Sequence, residues 1–191
     1  TKVNPPMIPL TLRSHYSLMW GTRSIKQLCR HAKHLGYTKV ALTDTDNLYG
    51  MWPFIAACKE AGITPIIGAE VTDPILPHRA ICLVKDQEGY QNLTRLLTRR
   101  ARDKHFSLAR CLPGFGKGLV VLTQSPTLLT AWQGQDLDLA AALPRHPLSL
   151  HHPLCRTARE LNIPLAATPG SFFLDPRDIH THAMLRAIDK N

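Results

Sequence analysis

The sequence predicts an α/β fold with a largely parallel sheet. Short runs rich in Val, Ile, Leu and Ala alternate with longer segments whose apolar residues recur at helical spacing. Several helical segments carry their own stop or start signal, a Gly just after the end or a Pro in the first turn. Strands that alternate with helices pair in parallel, because each helix supplies the crossover. The 191 residues are enough for one domain with a sizeable core.

In order, IPLTL (8–12) is expected as a short strand. SIKQLCRHAKHLGY (24–37) reads as an amphipathic helix with the stripe Ile25, Leu28, Ala32 and Leu35, ended by Gly36. KVALTD (39–44) is a strand, and MWPFIAACKEAG (51–62) is a helix that tolerates Pro53 early and stops at Gly62. ITPIIGAEV (63–71) and RAICLVK (79–85) are the next strands. EGYQNLTRLLTRRARD (88–103) is a helix with Tyr90, Leu93, Leu96 and Leu97 on one face. GLVVLTQ (118–124) is a strand, HHPLCRTARELN (151–162) a helix and IPLAAT (163–168) a strand. DPRDIHTHAMLRAID (175–189) is the final helix, with Pro176 at its first position. The Pro-rich corners 73–78 and 143–147 read as loops, not linkers. In such folds chemistry sits at the C-terminal ends of strands, which singles out the loops 13–23, 44–50, 70–78 and 168–175.

Composition narrows the class. Hydrophobic residues make up 44% and charged residues 19%, as in a soluble globular protein and unlike an extended disordered chain. No apolar run approaches the roughly 20 residues of a membrane span. Residues 1–7 lack the apolar region of a signal peptide and are expected as a disordered or vector-derived leader, before a single domain at 8–191. The five cysteines, Cys29, Cys58, Cys82, Cys111 and Cys155, are dispersed and odd in number. They form neither a disulfide framework nor a zinc motif, and a reducing cytoplasm is the expectation. The net charge of +9 favours an anionic partner, with nucleic acid foremost, although a merely basic domain fits the same number. The densest basic run, TRRARDKH (98–105), has no aromatic residue, so a contact there would be to phosphate and not to bases.

ALTDTDNLYG (41–50) runs a buried strand into Asp44 and Asp46. Two carboxylates at a strand end can hold a metal, or they can cap a helix and close a turn. A calcium loop is excluded, because Leu48 stands at the fifth position and Tyr49 where Gly is required. GFGKG (114–118) precedes a strand instead of joining a strand to a helix, so it reads as a turn and not a phosphate loop. His151 with His152, and His180 with His182, sit at spacings that diverge on a helix. No nucleophile elbow is present, and no cysteine has a histidine partner in sequence.

SHYSLMWG (14–21), ALTDTDNLYG (41–50), AGITPIIGAEV (61–71), CLVKDQEGYQNLTRLLT (82–98), GLVVLT (118–123) and LAATPGSFFLDPRDIHTHAMLRAI (165–188) form a series. It resembles the PHP (polymerase and histidinol phosphatase) domain found at the N-terminus of bacterial DNA polymerase III alpha subunits and their error-prone relatives. The resemblance implies a distorted (β/α)7-type barrel, here shortened in the middle, whose active members hold metal ions with His, Asp and Glu at the barrel mouth. The matching ligand places are Thr11, Arg13, Trp20, Thr45, Glu70, Arg79, Gly170 and Phe172. Only Glu70 keeps a family ligand type, and His78 beside Arg79 competes for that place in the match. Hydroxyls, guanidiniums, an indole, a glycine and a phenyl ring are poor metal ligands or none. The resemblance therefore implies a domain with no catalytic residues, no metal and no cofactor. Arg13 is expected to pair with Glu70 or Asp44, and Arg13, His15, Asp44, Asp46 and Glu70 are the expected residual polar site. It also implies a fragment of a longer DNA-synthesising chain, a nucleotidyltransferase, with the rest of that polymerase, DNA or other polymerase subunits as partners and no membrane. A metal-dependent phosphoesterase or 3′–5′ exonuclease with an altered ligand set is the alternative.

Overall fold

Six strands line up in sequence order in one sheet: β1 (Lys39–Thr45), β2 (Thr64–Thr72), β3 (Arg79–Val84), β4 (Leu119–Thr123), β5 (Asp138–Leu143) and β6 (Leu165–Ala167). The computed structural model describes residues 8–145, 151–168 and 178–189. The sheet curls into a half-barrel. β1–β2, β4–β5 and β5–β6 are parallel, whereas β3 runs antiparallel to both neighbours. The short turn between β2 and β3 causes the reversal, since a parallel pair needs a crossover of a dozen or more residues. The sheet is thus mixed at its centre, where a largely parallel one was expected.

Period-two alternation sorts the faces. Ala41, Ile81, Leu83, Leu122, Ala140 and Ala142 line the concave side, with Leu10, Ile66, Val120 and Ala166 against them. The intervening residues face the helices. Val40 and Leu42 pack with Ile25, Cys29, Phe54 and Cys58 of α1 (Ile25–His34) and α2 (Met51–Ala61). Ala69, Val71, Cys82 and Val121 pack with Leu93, Leu96, Leu112 and Trp132, which come from α3 (Gln87–Arg102), the 3-10 turn Leu112–Phe115 and α5 (Pro126–Trp132). Leu129, Ala141, Leu154 and Ala158 join α5 and β5 to α6 (His151–Glu160).

Most elements fall where the sequence places them, and the departures have physical reasons. The segment 8–12 is no strand but a single bridge, Leu12 beside Leu42. β1 donates to it from Ala41 N to Pro9 O (2.9 Å) and from Thr43 N to Leu12 O (2.8 Å). Pro9 has no N–H with which to donate in return. Among the described residues there are therefore six strands and one bridge, not seven strands. β5, α5 and the short α4 (Leu108–Cys111) were not anticipated. Leu35 and Tyr90, placed on buried stripes by spacing, are exposed, and Cys29 takes the inward position in α1. The leader 1–7 and the loop residues 146–147 lie outside the described residues. No helix among the described residues is long and apolar enough to cross a membrane.

GFGKG acts as a backbone joint. Gly118 has φ +74°, a conformation that disfavours side chains. A Cβ on Gly89 would come within 1.9 Å of Gly118 O. This bare contact lets Lys85 N donate to Gly118 O (2.9 Å) while Asp86 caps α3 at Gly89 N (2.8 Å).

Asp73 fastens the β2–β3 turn to α4. Its carboxylate accepts from Ile75 N (3.0 Å), Leu76 N (2.9 Å) and Leu108 N (2.8 Å). Burial alone would raise its pKa, but these three donors, with His78 nearby, hold it below the ordinary 3.8. A carboxyl depressed in the folded state contributes stability that is complete above its unfolded pKa and is lost as pH falls through the folded value. Asp73→Asn is expected to be less stable than wild type at neutral pH. The difference should shrink below roughly pH 5, as measured by urea unfolding of both proteins across pH. A difference that stays constant down to pH 2 would show that Asp73 contributes by shape alone.

Candidate functional site

The register brings Thr45 of β1 beside Glu70 of β2. Strand alternation points Thr45, Glu70 and Arg79 into the concave mouth, on the side lined by Ala41, Ile66 and Ile81. Asp44 shares the opposite, helix-covered face with Val40 and Leu42. Thr45, between the two aspartates, therefore faces the mouth, and Asp44 faces away from it.

Glu70 is the buried acid of the mouth, its side chain 4% exposed. Oε1 accepts from Arg13 Nη2 at 2.5 Å, and Oε2 accepts from Thr45 Oγ1 at 3.2 Å. Arg79 Nη1 lies 3.6 Å from Oε1. The Arg13 side chain is itself only 11% exposed, whereas that of Arg79 is 44% exposed. A buried carboxylate without a counter-charge is costly, and a guanidinium fork from the segment beside β1 compensates it.

Trp20 roofs this pair. The guanidinium of Arg13 lies 5.3 Å from its ring centroid, that of Arg79 5.9 Å and that of Arg186 3.9 Å, within reach of a cation–π attraction. Arg186 belongs to α7 (Asp178–Asp189) and also pairs with Asp189. His182 of the same helix donates from Nδ1 to Trp20 O at 2.9 Å, which fixes its tautomer because a carbonyl can only accept. At the start of α7 Asp178 accepts both fork nitrogens of Arg23, Nε at 2.6 Å and Nη2. The loop 13–23 is thus the dock of α7. It closes on itself because Gly21 sits against Ser14 O, where a Cβ would approach to 1.8 Å.

The other acids are engaged elsewhere. Asp44 accepts from Ser14 N (2.7 Å), Ser14 Oγ (2.8 Å) and Ser17 Oγ (2.6 Å), which anchors the same loop. Asp46 ends β1 at φ 54° and accepts from Thr72 N (2.8 Å) and Thr72 Oγ1 (2.5 Å). Arg100 completes that cluster, 3.2 Å from Asp46 and donating to Thr72 O at 2.7 Å. His15 is exposed, with Nδ1 3.3 Å from Arg23 O and its ring against Tyr16. The expected residual site Arg13, His15, Asp44, Asp46 and Glu70 is therefore not one cluster. Arg13 and Glu70 meet, and the other three serve the loop and the turn. Among the described residues no three His, Cys, Asp or Glu side chains gather as a metal ion would require.

Of the remaining family places, Thr11 is half-buried beside the Leu12 bridge, and Gly170 and Phe172 lie outside the described residues. Arg79, not His78, reaches Glu70, while His78 belongs to the turn and accepts Asp73 N on its backbone oxygen. Sequence reasoning missed Ser14 and Ser17, whose spacing of three let both reach Asp44. It placed Arg100 in the basic run 98–105, where a contact would be to phosphate, and gave Arg186 no role within the final helix.

This half-barrel, with its acid at the end of β2, belongs to a known class. The PHP domain family matches residues 9–127, more than half of the chain, and the chain belongs to that family. The DNA polymerase III subunit alpha of Aquifex aeolicus is 28% identical over 95% of this chain. The error-prone DNA polymerase of Anaeromyxobacter sp. (strain K) is 28% identical over 96%. The chain spans 19% and 18% of these two relatives, so less than a fifth of their length. Among solved structures, a protein from Bifidobacterium adolescentis described as a metal-dependent phosphoesterase aligns with TM-score 0.59 and 14% identity, covering 95% of this chain and 98% of that one. An amidohydrolase from Chromobacterium violaceum, solved with sulfate and no metal, aligns with TM-score 0.62 and 14% identity, covering 96% and 99%.

Arg13→Ala is expected to destabilise the domain by roughly 1–4 kcal/mol, because it leaves Glu70 buried with only Thr45 and the more distant Arg79. Adding Glu70→Gln to Arg13→Ala should recover part of that loss, since the uncompensated charge is then gone. A double-mutant cycle by chemical denaturation with no coupling between the two positions would contradict this.

Proposed function

We propose that this PHP domain is catalytically silent and serves as a structural and interaction unit of a DNA polymerase III alpha-type or error-prone chain. The observation that supports it best is the Arg13–Glu70 pair roofed by Trp20. In the metal-binding reading, Glu70 would offer its lone pairs to a cation. Here one oxygen accepts from Arg13 and the other from Thr45. A metal ion would have to displace that pairing beside a second guanidinium, Arg79, which repels it. Thr45, Arg13 and Arg79 at the mouth supply no imidazole and no further carboxylate. The donor set does not fit the metals of the family.

An altered-ligand phosphoesterase would need Asp44 or Asp46 to join Glu70. Both are held by their own donors, Asp44 on the helix-covered side of β1. The likeness to polymerase alpha subunits supports a role inside a longer DNA-synthesising chain, with the remainder of that chain as first partner. The net charge of +9 suits an additional anionic contact, with DNA as the leading candidate.

After dialysis against a weak chelator, elemental analysis is expected to find no stoichiometric zinc, manganese or iron. The protein should hydrolyse neither phosphomonoesters nor single-stranded DNA ends with any of these metals added. Two or more metals per chain, or a hydrolytic rate that disappears in Glu70→Ala, would overturn the reading, because a contaminant would not respond to that substitution.

A further inference from the structure

The tightest pairing of reactive side chains outside the mouth lies between the first two helices. Cys29 of α1 and Cys58 of α2 face each other with their sulfurs 3.7 Å apart. They belong to different helices of one core cluster and are 2% and 0% exposed. We propose that Cys29 and Cys58 form a peroxide-responsive dithiol, which closes to a reversible disulfide that staples α1 to α2.

Three observations carry the proposal. First, the geometry is close. A disulfide needs its sulfurs at about 2 Å, so the pair must close by less than the length of one bond. Second, the two thiols are unlike. The two sulfurs share one S–H···S hydrogen bond, and with Cys58 as its donor that bond lowers the pKa of Cys29. The same bond, with burial, raises the pKa of Cys58, which must give up the donated proton to ionise. Cys29 is the better nucleophile and Cys58 the resolving thiol beside it. Third, solvent reaches the same pair of helices. A surface groove between the helices is lined by Lys26, Arg30, Ala57, Glu60 and Ala61. Arg30 and Ala57 are the sequence neighbours of the two cysteines. The other cysteines lack this setting. Cys82 is fully buried with its thiol pushed up to about 12, and Cys111 and Cys155 are single, half-exposed thiols.

The oxidant is hydrogen peroxide. The Cys29 thiolate attacks one peroxide oxygen, the O–O bond breaks, and the departing hydroxide takes a proton to leave as water. Cys29 is now a sulfenic acid. The sulfur of Cys58 attacks the sulfur of Cys29, the S–O bond breaks, and hydroxide leaves with the thiol proton as a second water. The pair loses two electrons and the peroxide gains them. A dithiol reductant reverses the bond by exchange.

The test is hydrogen peroxide treatment of the folded protein, followed by denaturation, alkylation and tryptic mapping. The expected product links fragment 27–30 to fragment 40–59, is lighter by two hydrogens and returns to free thiols with dithiothreitol. A Cys111→Ser, Cys155→Ser background keeps the two half-exposed thiols from competing. In that background the oxidised protein should melt a few degrees higher than the reduced one, because the staple constrains the unfolded chain. In Cys58→Ala, dimedone should trap Cys29 as a sulfenic acid. The mapping of the unsubstituted protein stands even if a variant fails to fold. Peroxide that oxidises Cys111 and Cys155 while both core thiols stay alkylatable would overturn the proposal. So would a cross-link that forms as readily in the urea-unfolded chain as in the folded one.

Discussion

The mouth of this half-barrel is organised around a single requirement: the Glu70 carboxylate is buried and must meet positive charge. A metal ion and a guanidinium satisfy that requirement in different ways. A metal recruits several ligands from several strands and exposes a coordination site. A guanidinium is brought by one side chain, fits one carboxylate and is spent there. Once Arg13 occupies Glu70, Thr45 can serve as a hydroxyl donor, and a flat indole can cover the pair. The other acids of the strand ends then take structural duties, Asp44 holding the loop 13–23 and Asp46 tying Thr72 to Arg100.

The sequence was informative where local periodicity and packing agree. β1 to β4 and the helices α1, α2 and α3 follow their apolar spacing and their Gly and Asp boundaries to within three residues. It was less informative where tertiary contact decides. DLAAAL in β5 has little strand propensity, being half alanine, and becomes a strand because β4 and β6 flank it. IPLTL has the composition of a strand but is limited by Pro9 to one bridge. The antiparallel β3 follows from a connection too short for a crossover, visible in the sequence only as the Pro-rich corner 73–78.

The same division holds at the site. Arg13 meeting Glu70 could be reached from matched family places and the cost of a buried charge. The separation of Asp44 from Glu70 could also have been read, since residues 44 and 45 of one strand face opposite ways. The partners of the acids could not. Ser14, Ser17, Thr72 and Arg100 come from other elements, and only the tertiary arrangement brings them near. Arg186 and Arg23 depend on where α7 lands, which its helical periodicity does not reveal.

Trp20 constrains the mouth beyond its own contacts. Several residues depend on it: the guanidiniums of Arg13, Arg79 and Arg186 on its ring and His182 on its carbonyl. Replacing the indole by a carboxylate would remove the surface on which α7 rests before any ligand set existed to use the new charge. Replacing Arg13 by histidine would leave Glu70 with Thr45 and the more distant Arg79. A single substitution toward a ligand set therefore costs stability at this mouth, and that cost is set by one indole and one carboxylate.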